Sequence, residues 1–465
     1  MKVLRSVDPT PEQLQVILDP GPGFWLIRGA AGSGKTTTAL LRLRFLARFW
    51  RERRADLELD DPVRILVLTF NRTLRGYVNE LAEAQVLAGP DLELTVSTFG
   101  HWAMDLIGDP VLDTDKRERK IKELGRGLGL DGRFLLDEVD YVLGRLMPGD
   151  LNSYLGLRRD GRGQSPQMQR PMRQRLLDEV IEPYNAWKQA NGHVDWNDLS
   201  VFLAENKLCP PYDVVIVDEA QDFGANVIRA VVNHVSEDAR EHSTTFIRDT
   251  VQRIYPRAFT WAEVGLQIPQ AQNVHLTRNH RNTKQIAAFA RPLVEGVEQA
   301  EDGTLPDFQG ATRDGPLPVV LRGLYREQTA WAIDWLENIS PDESVAFLHP
   351  LGWFRFLRPA LDAAGIEYVT ITQRSEWPDG DENVALSTMH SAKGLEFDHV
   401  VVLGLNADVV PHGDEEGDSL LENHRRLLAM ALGRARESVV VGYKPTEAAR
   451  LVDYFEEGTY EEIDL

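Results

Sequence analysis

Cysteine is almost missing from this chain: Cys209 is the only one in 465 residues. That excludes an internal disulfide and a cysteine-rich zinc or iron–sulfur centre. Long apolar runs are missing too. No stretch approaches the roughly 20 apolar residues that span a bilayer, and the opening MKVLRSVDPTPEQ has no signal-peptide core. A reducing, cytoplasmic setting without membrane contact is therefore expected. Basic charge is in deficit, because 51 Lys and Arg against 72 Asp and Glu leave a net charge of −21. This argues against a general affinity for nucleic-acid phosphates, and any such site has to be a local groove. The eleven histidines are scattered without the spacing of metal ligands.

What remains is an ordinary globular composition, 43% apolar and 26% charged, in a chain long enough for two to four domains at about 150 residues each. FWLIRG, RILVLTF and LTVSTF read as strands, each followed by a helical pattern, and VVIVDEA and TTFIRD resume the series. Strands alternating with helices predict a parallel, doubly wound sheet. Between Asp109 and Gly192 charged helical segments with glycine joints predict a helical insertion. After the Pro/Gly/Asp-rich EDGTLPDFQGATRDGPLP, a second alternating set runs through LPVVLRG, SVAFLHP, NVALSTMH and HVVVLGLN to a helix over about 422–436 and a strand at SVVVGY. The fold class expected is α/β. Its division is 1–108 and 193–280 for a first core, 109–192 for the helical insertion, and 281–465 for a second core ending in a solvated acidic tail, YFEEGTYEEIDL.

Gly29-Ala-Ala-Gly-Ser-Gly-Lys35-Thr36 satisfies G-x-x-x-x-G-K-[ST]. In such a loop the backbone N–H groups of Gly29, Gly32, Ser33, Gly34, Lys35, Thr36 and Thr37 wrap phosphate oxygens at a helix N-terminus. Lys35 reaches the β- and γ-phosphates of ATP, and Thr36 offers a hydroxyl to Mg²⁺. A second peculiarity then makes sense. The apolar run YDVVIV ends in Asp218, Glu219 and Asp222, carboxylates that repel one another and serve poorly as packing. Beside a nucleotide, Asp218 can hold Mg²⁺ and Glu219 can act as general base toward the attacking water. An acidic helix cap after a core strand is the alternative.

DEAQD, together with motifs along the rest of the chain, resembles the UvrD/Rep-like superfamily 1A DNA helicases, from about Thr10 to Tyr443 with the insertion left out. The resemblance implies two RecA-like P-loop cores that hydrolyse ATP between them and move along single-stranded DNA, 3′ to 5′. It assigns Gln13 to adenine, Gln252 in RDTVQRIY and Arg281 in RNHRN to the γ-phosphate, and Glu396 in STMHSAKGLEF to the ribose. Arg434 in RRLLAMALGRAR becomes an arginine finger from the second core. DNA contacts fall on Thr69 and Phe70, Thr98 and Phe99, Tyr255 and Trp261, and Thr388 and His390. Arg248, His280, Ala429 and Gly433 depart from the family pattern, and the large insertion usual before T-x-H-x-x-K-G is absent. No nuclease motif follows Tyr443. A second reading is therefore a helicase-like ATPase subunit with a protein partner such as a nuclease, as in the Gabija phage-defence systems or a repair complex. A small-molecule kinase, the third, leaves DEAQD and HSAKGLEF without a role.

Overall fold

A computed structural model describes residues 9–29, 33–69, 79, 82, 89–108, 111–157, 168–249, 259–276, 281–296, 311, 313–371, 382–392, 395–411 and 418–465. Two all-parallel sheets organise them. The first contains β1 (Gly23–Gly29), β2 (Val63–Thr69), β3 (Leu92–Thr98), β4 (Val214–Val217), β5 (Ser243–Asp249) and β6 (Asn273–Leu276), in the spatial order β3-β2-β4-β5-β1-β6. The second contains β7 (Val319–Arg322), β8 (Val345–His349), β9 (Tyr368–Thr370), β10 (Val384–Thr388), β11 (Phe397–Val402), β12 (Ala435–Tyr443) and β13 (Glu461–Asp464), in the order β13-β7-β12-β11-β8-β10-β9. This is the α/β class with two RecA-like cores. Strands buried on both faces have to be apolar throughout. All four residues of β4, VVIV, are buried, which at about 1.5–3 kcal/mol per side chain anchors its acidic end.

Helices on the two faces fix what the strand ends present. Helix Lys35–Asp56 lays Leu40, Leu43, Leu46 and Trp50 on the Ile65, Val67 and Ile247 face of the first sheet. The opposite face, with Leu26, Leu66, Val217 and Phe246, packs against Trp102, Leu199 and Ile228. Helices Thr114–Leu124, Gly132–Arg145, Arg170–Leu176 and Glu182–Asn191 carry a separate apolar cluster around Val139, Leu176 and Tyr184. This layer is fastened to the acidic strand end: Asn226, four residues after Asp222, donates to the carbonyls of Leu143 and Leu146 at 2.9 and 3.0 Å. Its rear is a buried ionic knot in which Lys188 meets Asp195 and Asp198, and Arg117 meets Asp140 at 2.6 Å.

Two sequence expectations are corrected here. The helix expected over 422–436 is Ser419–Leu432; Gly433 closes it and β12 starts at Ala435, so Arg434 lies in the turn between them. Glycine is a poor helix residue and the following SVVV run is β-branched, so the chain changes state there. The acidic tail is also not simply solvated. Glu461–Asp464 lies parallel to β7, Ile463 packs toward the core, and Arg322 meets Glu462 and Asp464 at 2.8 and 3.2 Å. One inward position in four is too short a period to read, and its partner strand lies about 140 residues away in sequence.

His349, at the end of β8, is buried, and its Nδ1 accepts the backbone N–H groups of Leu351 and Trp353 at 3.1 and 3.2 Å. Burial lowers its pKa to about 4, against a smaller opposing pull from Asp408. In the unfolded chain the ring titrates near 6.5, so between about pH 6.5 and 4 the unfolded state binds the proton that the folded state refuses. Stability is therefore lost as pH falls through that window, by on the order of 3 kcal/mol from this residue. In urea titrations from pH 7 to 4, His349→Asn, which keeps an acceptor, declines less than wild type; parallel declines would refute the account.

Candidate nucleotide site and DNA-facing residues

Residue types at two strand ends make the first half of the site. β1 leads through the phosphate loop into helix Lys35–Asp56, whose N-cap Gly34 stands at φ 73° with no side-chain cap and no acidic residue in the first turn. The N-terminal N–H groups and positive dipole end of this 22-residue helix thus favour an anion. A Cβ on Gly34 would stand 2.4 Å from Gln13 Nε2, so only glycine fits both the left-handed backbone and the close approach. Gln13 itself is fixed by a capping box with Thr10 and donates to the Ser33 carbonyl at 3.1 Å. The residue assigned to adenine thus also braces the phosphate loop.

From the loop, Thr36 Oγ1 donates to Asp218 Oδ2 at 3.0 Å, and the N–H of Glu219 donates to Asp218 Oδ1 at 2.9 Å. Asp218 is 2% exposed; burial, then the neighbouring Glu219 charge, push its carboxyl up to about 7 against the opposing pull of Thr36 and Lys35. Glu219 sits at φ 53°, one of two non-glycine residues of positive φ among the described ones, and Gln221 donates to its carboxylate. Such a conformation costs roughly 1–2 kcal/mol, and it aims the carboxylate away from the regular strand direction.

The second half comes from the other sheet. Arg281 pairs with Glu396 and reaches the Gly433 carbonyl at 3.4 Å. Arg434 is 3% exposed, with Nε on the Met430 carbonyl at 3.3 Å. Burial alone would raise the Glu396 carboxyl, but Arg281, with Arg434 and Arg436 behind it, holds it below the usual carboxylate range. The residue assigned to ribose and one assigned to the γ-phosphate are thus bonded to each other.

The sequence-derived DNA residues are less uniform. Thr69 is fully buried, and Thr98 accepts the His101 N–H at 3.4 Å as a helix cap. Phe99 is 8% exposed and packs on Trp102 at 5.8 Å, a core position. Trp261 is half-buried against Phe246 and Phe259 at 4.9 and 5.5 Å. Thr388 bonds Ser391 at 2.9 Å, and His390 is exposed. Gly32, Phe70, Gln252 and Tyr255 lie outside the described residues.

Sequence reasoning missed two supporting residues. Arg42, fully buried, reaches from the phosphate-loop helix to the carbonyls of Val16 and Asp19 at 2.5 and 2.6 Å, holding the helix that carries Gln13. Asn282 donates to the carbonyls of Gly433 and Ala435 at 3.2 and 2.6 Å, bracing the turn that holds Arg434. The only signal was a basic residue inside an apolar stripe for Arg42 and adjacency to Arg281 for Asn282.

The donor set fits Mg²⁺–ATP, since an uncapped helix end, a lysine, and a hydroxyl beside a carboxylate are what phosphate and a hard cation take. Among the described residues no group of three or more His, Cys, Asp or Glu gathers for a metal.

Two parallel cores, a phosphate loop and an acidic strand end define the P-loop class by fold. Residues 364–445 match the UvrD-like helicase C-terminal domain family. The chain is 39% identical to the ATP-dependent DNA helicase PcrA of Staphylococcus aureus over 66 residues, 14% of this chain and 9% of that protein. It is 36% identical to the ATP-dependent DNA helicase Rep of Buchnera aphidicola over 63 residues, 14% of this chain and 10% of that protein. With DNA helicase IV of Escherichia coli the likeness is 24% over 497 aligned positions, 92% of this chain and 67% of that protein. These comparisons support assignment of the chain to the UvrD/Rep-like helicases. The matched segments span only about a tenth of PcrA and Rep. Among the described residues no helix is long and apolar enough to cross a membrane.

Proposed function

We propose that the chain is a DNA-dependent ATPase of helicase type, which hydrolyses ATP between its two cores and moves along single-stranded DNA. The observation that carries this is the division of the charged groups. Lys35 and Thr36 open the helix that follows β1, Asp218 and Glu219 follow β4 in the same sheet, and Arg281, Glu396 and Arg434 cluster on the second. Mg²⁺, held through Thr36 and Asp218, would supply charge neutralisation on the phosphates. Lys35 binds the phosphate chain, Glu219 accepts a proton from the attacking water, and Arg434 stabilises the charge that develops on the transferred group. A site completed by residues from two bodies couples hydrolysis to their relative movement. Movement 3′ to 5′ rests on the family resemblance.

Steady-state ATP hydrolysis with and without oligo-dT, over a salt series, tests the reading. Wild type is expected to be stimulated at least tenfold by DNA, with stimulation fading as salt rises. Lys35→Ala is expected to be inactive under both conditions. Wild-type hydrolysis indifferent to saturating DNA would remove the translocase part of the proposal.

A further inference from the structure

The register of the first sheet aligns three basic side chains that the nucleotide site does not use. Arg28 of β1 is the direct partner of Arg248 on β5 and of His275 on β6. Partners in a parallel sheet project from one face. That face is the one opposite helix Lys35–Asp56, because Phe24 and Leu26, which alternate with Arg28, belong to the cluster containing Phe246 and Trp261. Adjacent strands lie about 4.8 Å apart, so Arg28 and Arg248 are held as like-charged neighbours. Arg28 has no ion pair with any described residue, and its Nε is buried without a partner. Burial, then Arg28 and Lys35, lower the His275 pKa, with Glu12 opposing, which places the ring in the field of Arg28.

Two features show what such a row can take. An unpaired guanidinium beside another is relieved by an anion that offers several oxygens in one plane, which is phosphate chemistry. On the same strand and face, two residues before Arg248, Phe246 contacts Trp261 at 4.9 Å, and Phe24 stacks on Phe246 at 6.3 Å. A half-exposed aromatic next to a basic row is the pairing that single-stranded nucleic acid uses, a stacking surface beside backbone contacts. In a chain of net charge −21, such a local concentration has to be placed by the fold.

We propose that Arg28, Arg248 and His275 form a phosphate-binding row at the end of the first sheet, with the nucleic-acid backbone beside Trp261 as its ligand. The proposal rests on the DNA-dependent reading for that source, and a nucleotide phosphate is the other source of the same chemistry.

The test uses full-length, nucleotide-free protein and fluorescent oligo-dT, with anisotropy followed across a salt series. Arg28→Met and Arg248→Gln are each expected to weaken binding about three- to tenfold at low salt and to make the salt slope shallower by about one. Arg28→Lys is expected to recover part of the affinity, which a purely structural loss would not show. Fluorescent ATP analogue binding is measured on the same variants, and retention there with loss of DNA binding identifies the backbone as the source. Loss of analogue binding with intact DNA binding keeps the row but assigns it to the nucleotide. If wild type itself binds no oligo-dT, the DNA reading fails and the analogue and tripolyphosphate alone decide the row. Binding of every probe within twofold of wild type in both variants would overturn it, and circular dichroism excludes variants that have not folded.

Discussion

Glu219→Gln is expected to lower ATP hydrolysis by roughly two to four orders of magnitude while leaving nucleotide affinity within a few-fold of wild type. The exchange keeps the size of the side chain and its place at φ 53° next to Gln221. What it removes is the capacity to accept a proton. It also removes the charge that helps push the Asp218 carboxyl up to about 7, so the carboxylate opposite Thr36 is easier to ionise and a cation is held at least as well. Single-turnover hydrolysis beside equilibrium binding of a fluorescent ATP analogue separates the two effects. Hydrolysis within tenfold of wild type would mean that another group takes the proton. Weakened binding in proportion to the lost rate would make Glu219 a structural residue only.

Arg434→Ala is expected to reduce kcat by about 10³ with a KM for ATP changed only a few-fold, the pattern of a group that acts mainly in the transition state. The location supports that pattern, because the guanidinium is 3% exposed and held on the Met430 carbonyl, in a turn braced by Asn282. Arg434→Lys restores charge without the planar fork and is expected to recover little of the rate. Thermal unfolding of both variants keeps the comparison honest, since a buried arginine also packs. A KM that rises by as much as kcat falls would reassign Arg434 to ground-state binding.

The strand ends were legible in the sequence and the contacts between them were not. YDVVIV followed by three carboxylates, and FWLIRG followed by a glycine loop, are local patterns with local causes: apolar runs of strand length, and residues that serve no packing purpose where the runs stop. The pairing of Arg281 with Glu396 joins residues more than a hundred positions apart and was hidden for that reason. The same holds for the tail, whose EEID segment becomes a strand only because β7 offers it an edge. Phe99 shows the opposite limit. Its motif is local, yet whether its ring faces solvent or Trp102 is decided by the helix it begins, which one strand pattern cannot tell. The basic row of Arg28, Arg248 and His275 comes from three strands, so no linear motif spells it.

The first sheet's last strand ends at Leu276, and Arg281, five residues on, is already bonded to the second core through Glu396 and Gly433. Fully extended, those five residues span at most about 18 Å. This is a short leash. In the proposed cycle the cores cannot draw apart at this point by more than its length, so a swing about this tether carries the far side of the cleft further than the near side.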